Sequence, residues 1–261
     1  MSSPKEATEP FAEAQGALQA ERKVLTAEIK ALQDFQERAS EIRTGSNSAT
    51  HSTSQASGPT SFVSAPLDIS SDKKDPRAQI QAAYRETVMA VPFADELEDN
   101  VREHMMAELG SDIADAVFDQ SGPPPNIVPI LHGRIKDAIQ TRRQFLKYCR
   151  AEADTLDGFY NKLEKIHSKV NAYRSTESET LDELVIRDEQ LINVVRTLDQ
   201  IAQRRQQDLH TDLGPDVQRY RSLEYLYRDC SFNFPVLVAI AIIGQEIKAA
   251  RREIAYNVST Y

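Results

Sequence analysis

IKDAIQTRRQFLKYCRAEADTLDGFYNKLEKIHSKVNAY, Ile135 to Tyr173, decides the fold. Stepping by three and four from Ile135 picks out Ala138, Arg142, Phe145, Cys149, Glu152, Leu156, Phe159, Leu163, Ile166, Val170 and Tyr173. Ten of these twelve positions are apolar or weakly polar, a seam that keeps helical phase from end to end. The stretch therefore predicts one long helix, reaching back to Ile127. STESET follows, in which Thr176 and Glu179 have capping-box spacing. A second seam then runs through Leu181, Leu184, Val185, Leu191, Ile192, Val195, Leu198, Ile201 and Leu209, stopping at Leu213-Gly214-Pro215. So short a connection, bent at Arg174 to Glu177, folds the second helix back antiparallel on the first. Matching residues across that bend sets Cys149 level with about Ile201 and brings Arg204 and Arg205 to the same end.

Shorter helices are predicted on both sides of this hairpin. Asp75-Pro76 reads as an N-cap with proline at the first helical position, followed by Ile80, Ala83, Tyr84, Thr87, Val88 and Val91 and a break at Pro92. A helix from about Asp95 carries Leu97, Val101, Met105 and Leu109 and ends at Gly110; Ser111 is expected to cap a short piece with Ile113, Val117 and Phe118 before SGPPPN. After the hairpin, a helix with Tyr220, Leu223, Leu226 and Tyr227 leads to FNFPVLVAIAIIGQEIK, Phe232 to Lys248. Its unbroken apolar run, Val236 to Ile243, is too short to span a bilayer, which takes about 20 residues. It is expected to be a wholly buried half-helix that turns amphipathic along Ile243, Ile247, Ala250, Ile254 and Val258, with Pro235 in its first turn and Asn233 or Ser231 as cap.

At the other end, Phe11, Leu18, Leu25 and Leu32 recur every seven residues, with Ala14, Phe35 and Ile42 beside them, a coiled-coil pattern flawed by Glu21 and Glu28. Such an arm either pairs with another molecule's helix or lies on its own chain. Thr44 to Pro66 loses apolar periodicity to Ser, Thr, Ala and Gly, too little buried surface to offset chain entropy. The expected division is a helical arm over 1–43, a disordered Ser/Thr-rich linker over 44–74 that includes His51 as a solvated histidine, and a helical domain over 75–261. The fold class is all-α: a long antiparallel hairpin packed by shorter helices, with a coiled-coil-like N-terminal helix on the linker.

Composition agrees. The 261 residues include no Trp, 9 Gly and 27% charged residues with a net charge of -9, which favours helices and opposes general attraction to nucleic acid or anionic lipid. MSSPKEATEPFAEAQG has neither a secretory signal nor an anchor pattern, so a cytoplasmic location is expected. Cys149 and Cys230 are too few and too far apart for a disulfide framework or a CxxC site, and read as two buried apolar side chains.

AYRETVMAVPF, Ala83 to Phe93, with HMMAELGSDIADAVF and the later YLYRDCSFNFPVLVAIAIIGQEIKAARREI, resembles a haloarchaeal family classed as a domain of unknown function, number 7260. The resemblance covers roughly residues 77 to 256 and departs at Phe93-Ala94-Asp95, where the family pattern has an aromatic-rich turn. It implies a salt-rich cytoplasm and supplies no catalytic residue.

No GxGxxG, GxxxxGK, GxSxG, HExxH or paired CxxC occurs, so no catalytic, cofactor-binding or metal residue is assigned and no cofactor is expected. Glu164 and His167 form a single ExxH, whereas di-metal bundles need two such pairs and two further glutamates. Gly133 to Arg150 carries six bases against one acid, and Lys136, Arg143, Lys147 and Arg150 share a face. With Arg142, Arg204 and Arg205 they form a candidate anion or partner patch. An acidic block, Asp95 to Asp119, with nine acids and one arginine, is expected to neutralise it from within. The expected function is a non-catalytic cytoplasmic helical interaction or adaptor protein, binding a protein partner or itself. The alternative is a nucleic-acid-binding regulator using the patch, with a metal-dependent helical-bundle enzyme third.

Overall fold

The computed structural model describes residues 7–42, 75–91, 100–119, 127–174, 180–211 and 223–259. They form helices α1 (Glu9–Glu41), α2 (Pro76–Thr87), α3 (Val101–Leu109), α4 (Ser111–Phe118), α5 (Ile127–Arg174), α6 (Leu181–Thr211) and α7 (Pro235–Ser259), with one helical turn at 223–226. No strand occurs among the described residues, and the all-α architecture of long helices packed by shorter ones is the one the periodicity predicts. The expected linker at 44–74, Thr176, Glu179 and Tyr220 lie outside the described residues.

The chain gathers into two compact units, one of Met1–Lys23 with Leu146–Tyr261 and the other of Val24–Phe145, so α1 and α5 each give one part to either unit.

In the first unit, Cys149, Glu152, Leu156, Phe159, Leu163 and Val170 of α5 are buried, as are Leu184, Leu191, Leu198 and Arg205 of α6. The Arg205 guanidinium donates to Glu152 from Nη2 at 2.5 Å and from Nη1 at 3.3 Å. Each residue lies about six turns from the α5–α6 connection, so the two can meet only if the helices are antiparallel. The register is displaced from the expected one, in which Cys149 stood level with Ile201. Because α5 ends at Arg174 and α6 starts at Leu181, the midpoint of the bend falls later, and Glu152 comes level with Arg205. A capping box does open α6, at Thr180 and Glu183: Thr180 N donates to Glu183 Oε2 at 2.8 Å and Glu183 N to Thr180 Oγ1 at 3.4 Å.

α7 packs against α6 through Arg251, which donates from Nε and Nη2 to the two carboxylate oxygens of Asp188 at 2.6 and 3.1 Å. Asp188 lies near the start of α6 and Arg251 near the end of α7, and the other end of α6 shares Glu152 with Tyr227, just ahead of α7. The pair is therefore antiparallel. Ile243, Ile247, Ala250 and Ile254 are buried as expected, but the first half of α7 is not wholly so: Leu237, Val238, Ile240 and Ile242 are half-buried and Ala241 is exposed. An outer helix of a bundle offers only one side to its neighbours, whatever its composition. The same reason leaves Leu181 and Val185 exposed on α6, although both lie on its predicted seam. Ser231 caps nothing; its N–H and hydroxyl donate to Glu13 Oε1 at 2.7 and 3.0 Å. α1 runs antiparallel to α5 here, with Phe11 edge-on to Tyr160 at 5.6 Å and the Gln15 amide donating to Asp157.

In the second unit, α2 opens as predicted, Asp75 Oδ1 accepting from Arg77 N at 3.0 Å with Pro76 in the first turn. Asn100 caps α3 by accepting from Arg102 N at 3.1 Å. Gly110 both ends α3 and starts α4 at φ 100°, so Ser111 is the first helical residue and not the cap expected of it. A left-handed residue lets the chain reverse with none to spare, and a Cβ there would lie 2.7 Å from Asp112 Oδ1. The core holds Phe35 edge-on to Tyr84 at 5.1 Å, with Met105, Ile113, Val117, Leu131 and Ile135 fully buried.

Along α1, Phe11, Ala14, Leu18, Leu25, Leu32 and Phe35 are buried by the rest of their own chain. Glu28, one of the flaws in its seam, receives Arg142.

Candidate functional site

The seven bases of the candidate patch separate by exposure and by unit. Lys136 and Arg143 are exposed in the second unit, and Lys147, Arg150 and Arg204 are exposed in the first. Arg142 and Arg205 turn inward.

Arg142 donates from Nε to Glu28 Oε2 and from Nη2 to Glu108 Oε2, both at 2.7 Å. The other Glu108 oxygen lies 2.7 Å from Nη1 without the alignment of a hydrogen bond. Burial works against the guanidinium charge, but the hydrogen bond and charge of Glu108, and then Glu28, hold the Arg142 pKa above its ordinary value. Arg134 likewise meets Asp112 at 2.9 Å. The basic opening of α5 thus touches the acidic block at Glu108 and Asp112. Within that block Arg102 bridges Asp115 at 2.8 Å and Asp119 at 3.6 Å.

Next to the Arg142 group, the Tyr84 hydroxyl lies 2.7 Å from His104 Nδ1. Burial first, and then the Glu108 carboxylate, push the Tyr84 phenol far above the ordinary range, so it stays neutral and works as a hydrogen-bonding group.

Arg205 and Glu152 are 4% and 0% exposed, and the Tyr227 hydroxyl donates to Glu152 Oε1 at 3.0 Å. Arg205 also lies over the Phe159 ring, 5.9 Å from its centroid. Burial and Glu152 push the Tyr227 phenol far up as well. Each oxygen of this buried carboxylate therefore has a donor, which is the condition for keeping an ion pair out of water.

Glu164 and His167 do not converge. Glu164 is exposed and accepts a 3.5 Å contact from the Tyr160 hydroxyl, whereas His167 is buried with Nε2 2.9 Å from Glu246 Oε2. Three residues along a helix turn a side chain by about 300°, enough at the edge of a stripe to put one in solvent and the other in the core. Among the described residues no group of three or more His, Cys, Asp and Glu is placed to hold a metal ion, and no helix is long and apolar enough to cross a membrane.

Sequence reasoning missed the Arg205–Glu152–Tyr227 and His167–Glu246 clusters as units, although the signal for them exists. Arg205 falls in the seven-residue series of Leu184, Leu191 and Leu198, and Glu246 falls in the buried stripe of Ala239, Ile243, Ala250 and Ile254. A charged residue in phase with a buried seam needs a buried partner.

A helical chain whose interior polar groups pair with one another is the class that this fold and these clusters define. The family model described as a domain of unknown function (DUF7260) matches residues 9–251, and the chain belongs to that family. Comparison with curated proteins and with solved structures gives no match.

Proposed function

We propose that this chain is a non-catalytic helical interaction or adaptor protein of the cytoplasm. One observation carries the reading: the charged side chains drawn into its interior pair with one another, while large apolar side chains stand in solvent on α6 and α7. Glu152 holds Arg205 and Tyr227, Glu246 holds His167, and Arg142 holds Glu28 and Glu108. Charges paired in this way serve to align the helices that carry them. Leu181, Val185, Ile186, Tyr256 and Val258 are between 37% and 69% exposed, the kind of surface that a protein partner covers.

Cross-linking in the native cell, followed by mass spectrometry, tests this. The expected outcome is links from exposed helix faces to one protein species, at a level proportional to this chain. Links confined to nucleic acid, or none above those of an unrelated acidic protein, would reject it.

The nucleic-acid reading keeps Lys136, Arg143, Lys147, Arg150 and Arg204 as exposed bases. It loses Arg142 and Arg205 to carboxylates, and the remaining contacts weaken steeply with salt. Duplex binding abolished by Arg143→Glu with Arg204→Glu would favour it over the adaptor reading.

A further inference from the structure

We propose that the outer face of the α6–α7 pair is a two-fold interface, occupied by a second copy of this chain; this deepens the interaction reading and rests on it. Asp188 and Arg251 mark the line along which the antiparallel helices touch. One residue further along each helix stand Glu189 and Arg252, both exposed. In two antiparallel right-handed helices, a step of about 100° from mutually facing residues turns both side chains to the same side of the pair. Here that side faces away from the core, because the buried Leu184, Leu191, Ile247 and Ile254 lie in the opposite sense of rotation.

Four-residue steps extend this face into two exposed stripes, Leu181, Val185 and Glu189 on α6 and Lys248, Arg252 and Tyr256 on α7. Leu181, Val185 and Tyr256 are 44%, 49% and 69% exposed, so apolar surface lies beside an acid on one helix and two bases on the other. A surface with opposite charges on its two edges complements itself. A two-fold axis along the helices sets Glu189 of one copy against Lys248 and Arg252 of the other, twice over, with Leu181, Val185 and Tyr256 meeting beside them toward the start of α6.

Sedimentation velocity of the full chain at increasing concentration, in low and in molar salt, provides the test. The wild type is expected to dimerise, more weakly in high salt. Glu189→Lys alone, and Lys248→Glu with Arg252→Glu, should each weaken dimerisation about tenfold or more. Mixing the two variants should restore it, because every contact in the mixed pair is again attractive. Unchanged helicity and thermal unfolding of the variants excludes misfolding. A monomeric wild type, a dimer that ignores both reversals, or a mixture that fails to associate would each overturn the proposal. The cellular cross-links judge the adaptor reading separately, since a monomer linked to a different protein would remove this interface and keep that function.

Discussion

Arg205 takes the place of a leucine in the series Leu184, Leu191 and Leu198, and lies against Glu152 in the seam of the facing helix. Removing one member of such a pair strands the other in a low dielectric. Glu152→Ala should therefore cost about 3–5 kcal/mol in denaturant unfolding, whereas Glu152→Leu with Arg205→Met should recover most of it. The pair adds little net stability over an apolar replacement; what it adds is register, since only one alignment of α5 and α6 brings these charges together. Cys149 carries the other measurable consequence of burial, its thiol being pushed up to about 11 from an ordinary 9.0. The folded state then holds its proton longer than the unfolded chain, so stability from this group is complete below pH 9 and declines as pH rises towards 11. Unfolding free energy across that window should fall less steeply in Cys149→Ala than in the wild type. At residue scale, the seam phase of Glu152, Arg205 and Glu246 was legible in the sequence. Their pairing was not, because a seam position says that a residue is buried and not what faces it.

Helix ends follow the local sequence signals only where the signal is made of the residues that the end uses. Asp75-Pro76 is a local signal made of the residues it serves, and it opens α2 where expected. Between the hairpin helices two Ser/Thr-x-x-Glu spacings overlap, Thr176 with Glu179 and Thr180 with Glu183, and α6 uses the second. Thr180→Ala should cost about 1 kcal/mol, read by chemical denaturation, with the loss of helicity concentrated at the start of α6 in hydrogen exchange. At the α3–α4 junction, Gly110→Ala forces a side chain into the left-handed region and onto Asp112, and should cost at least about 1–2 kcal/mol by the same measurement. Ser111→Ala should change little, because Ser111 is inside the helix and makes no capping hydrogen bond. The exposed Leu181 and Val185 fit helical periodicity as well as the buried Leu184 and Leu191 do. Periodicity marks a stripe on a helix, but the width of stripe that becomes buried depends on how many helices surround it.

At the scale of the whole molecule, Phe11, Ala14 and Leu18 of α1 are buried in one unit and Leu25, Leu32 and Phe35 in the other. Removing residues 1–43 should abolish cooperative unfolding and expose dye-binding apolar surface, and Phe35→Ala alone should cost about 3–5 kcal/mol. A truncated chain that keeps a sharp thermal transition would contradict that placement. The sequence by itself determined the all-α class, the length of α5 and its reversal into α6, because helical period and the brevity of a connection are local quantities. Only the tertiary structure decided that the seam of α1 is covered by its own chain, that Arg142 and Arg205 are drawn inward while Arg143 and Arg204 remain in solvent, and that His167 answers Glu246 in place of Glu164. Each of those outcomes depends on which distant surface closes over a residue, and one helix turned by a single residue, about 100°, exchanges its buried and its solvated side chains.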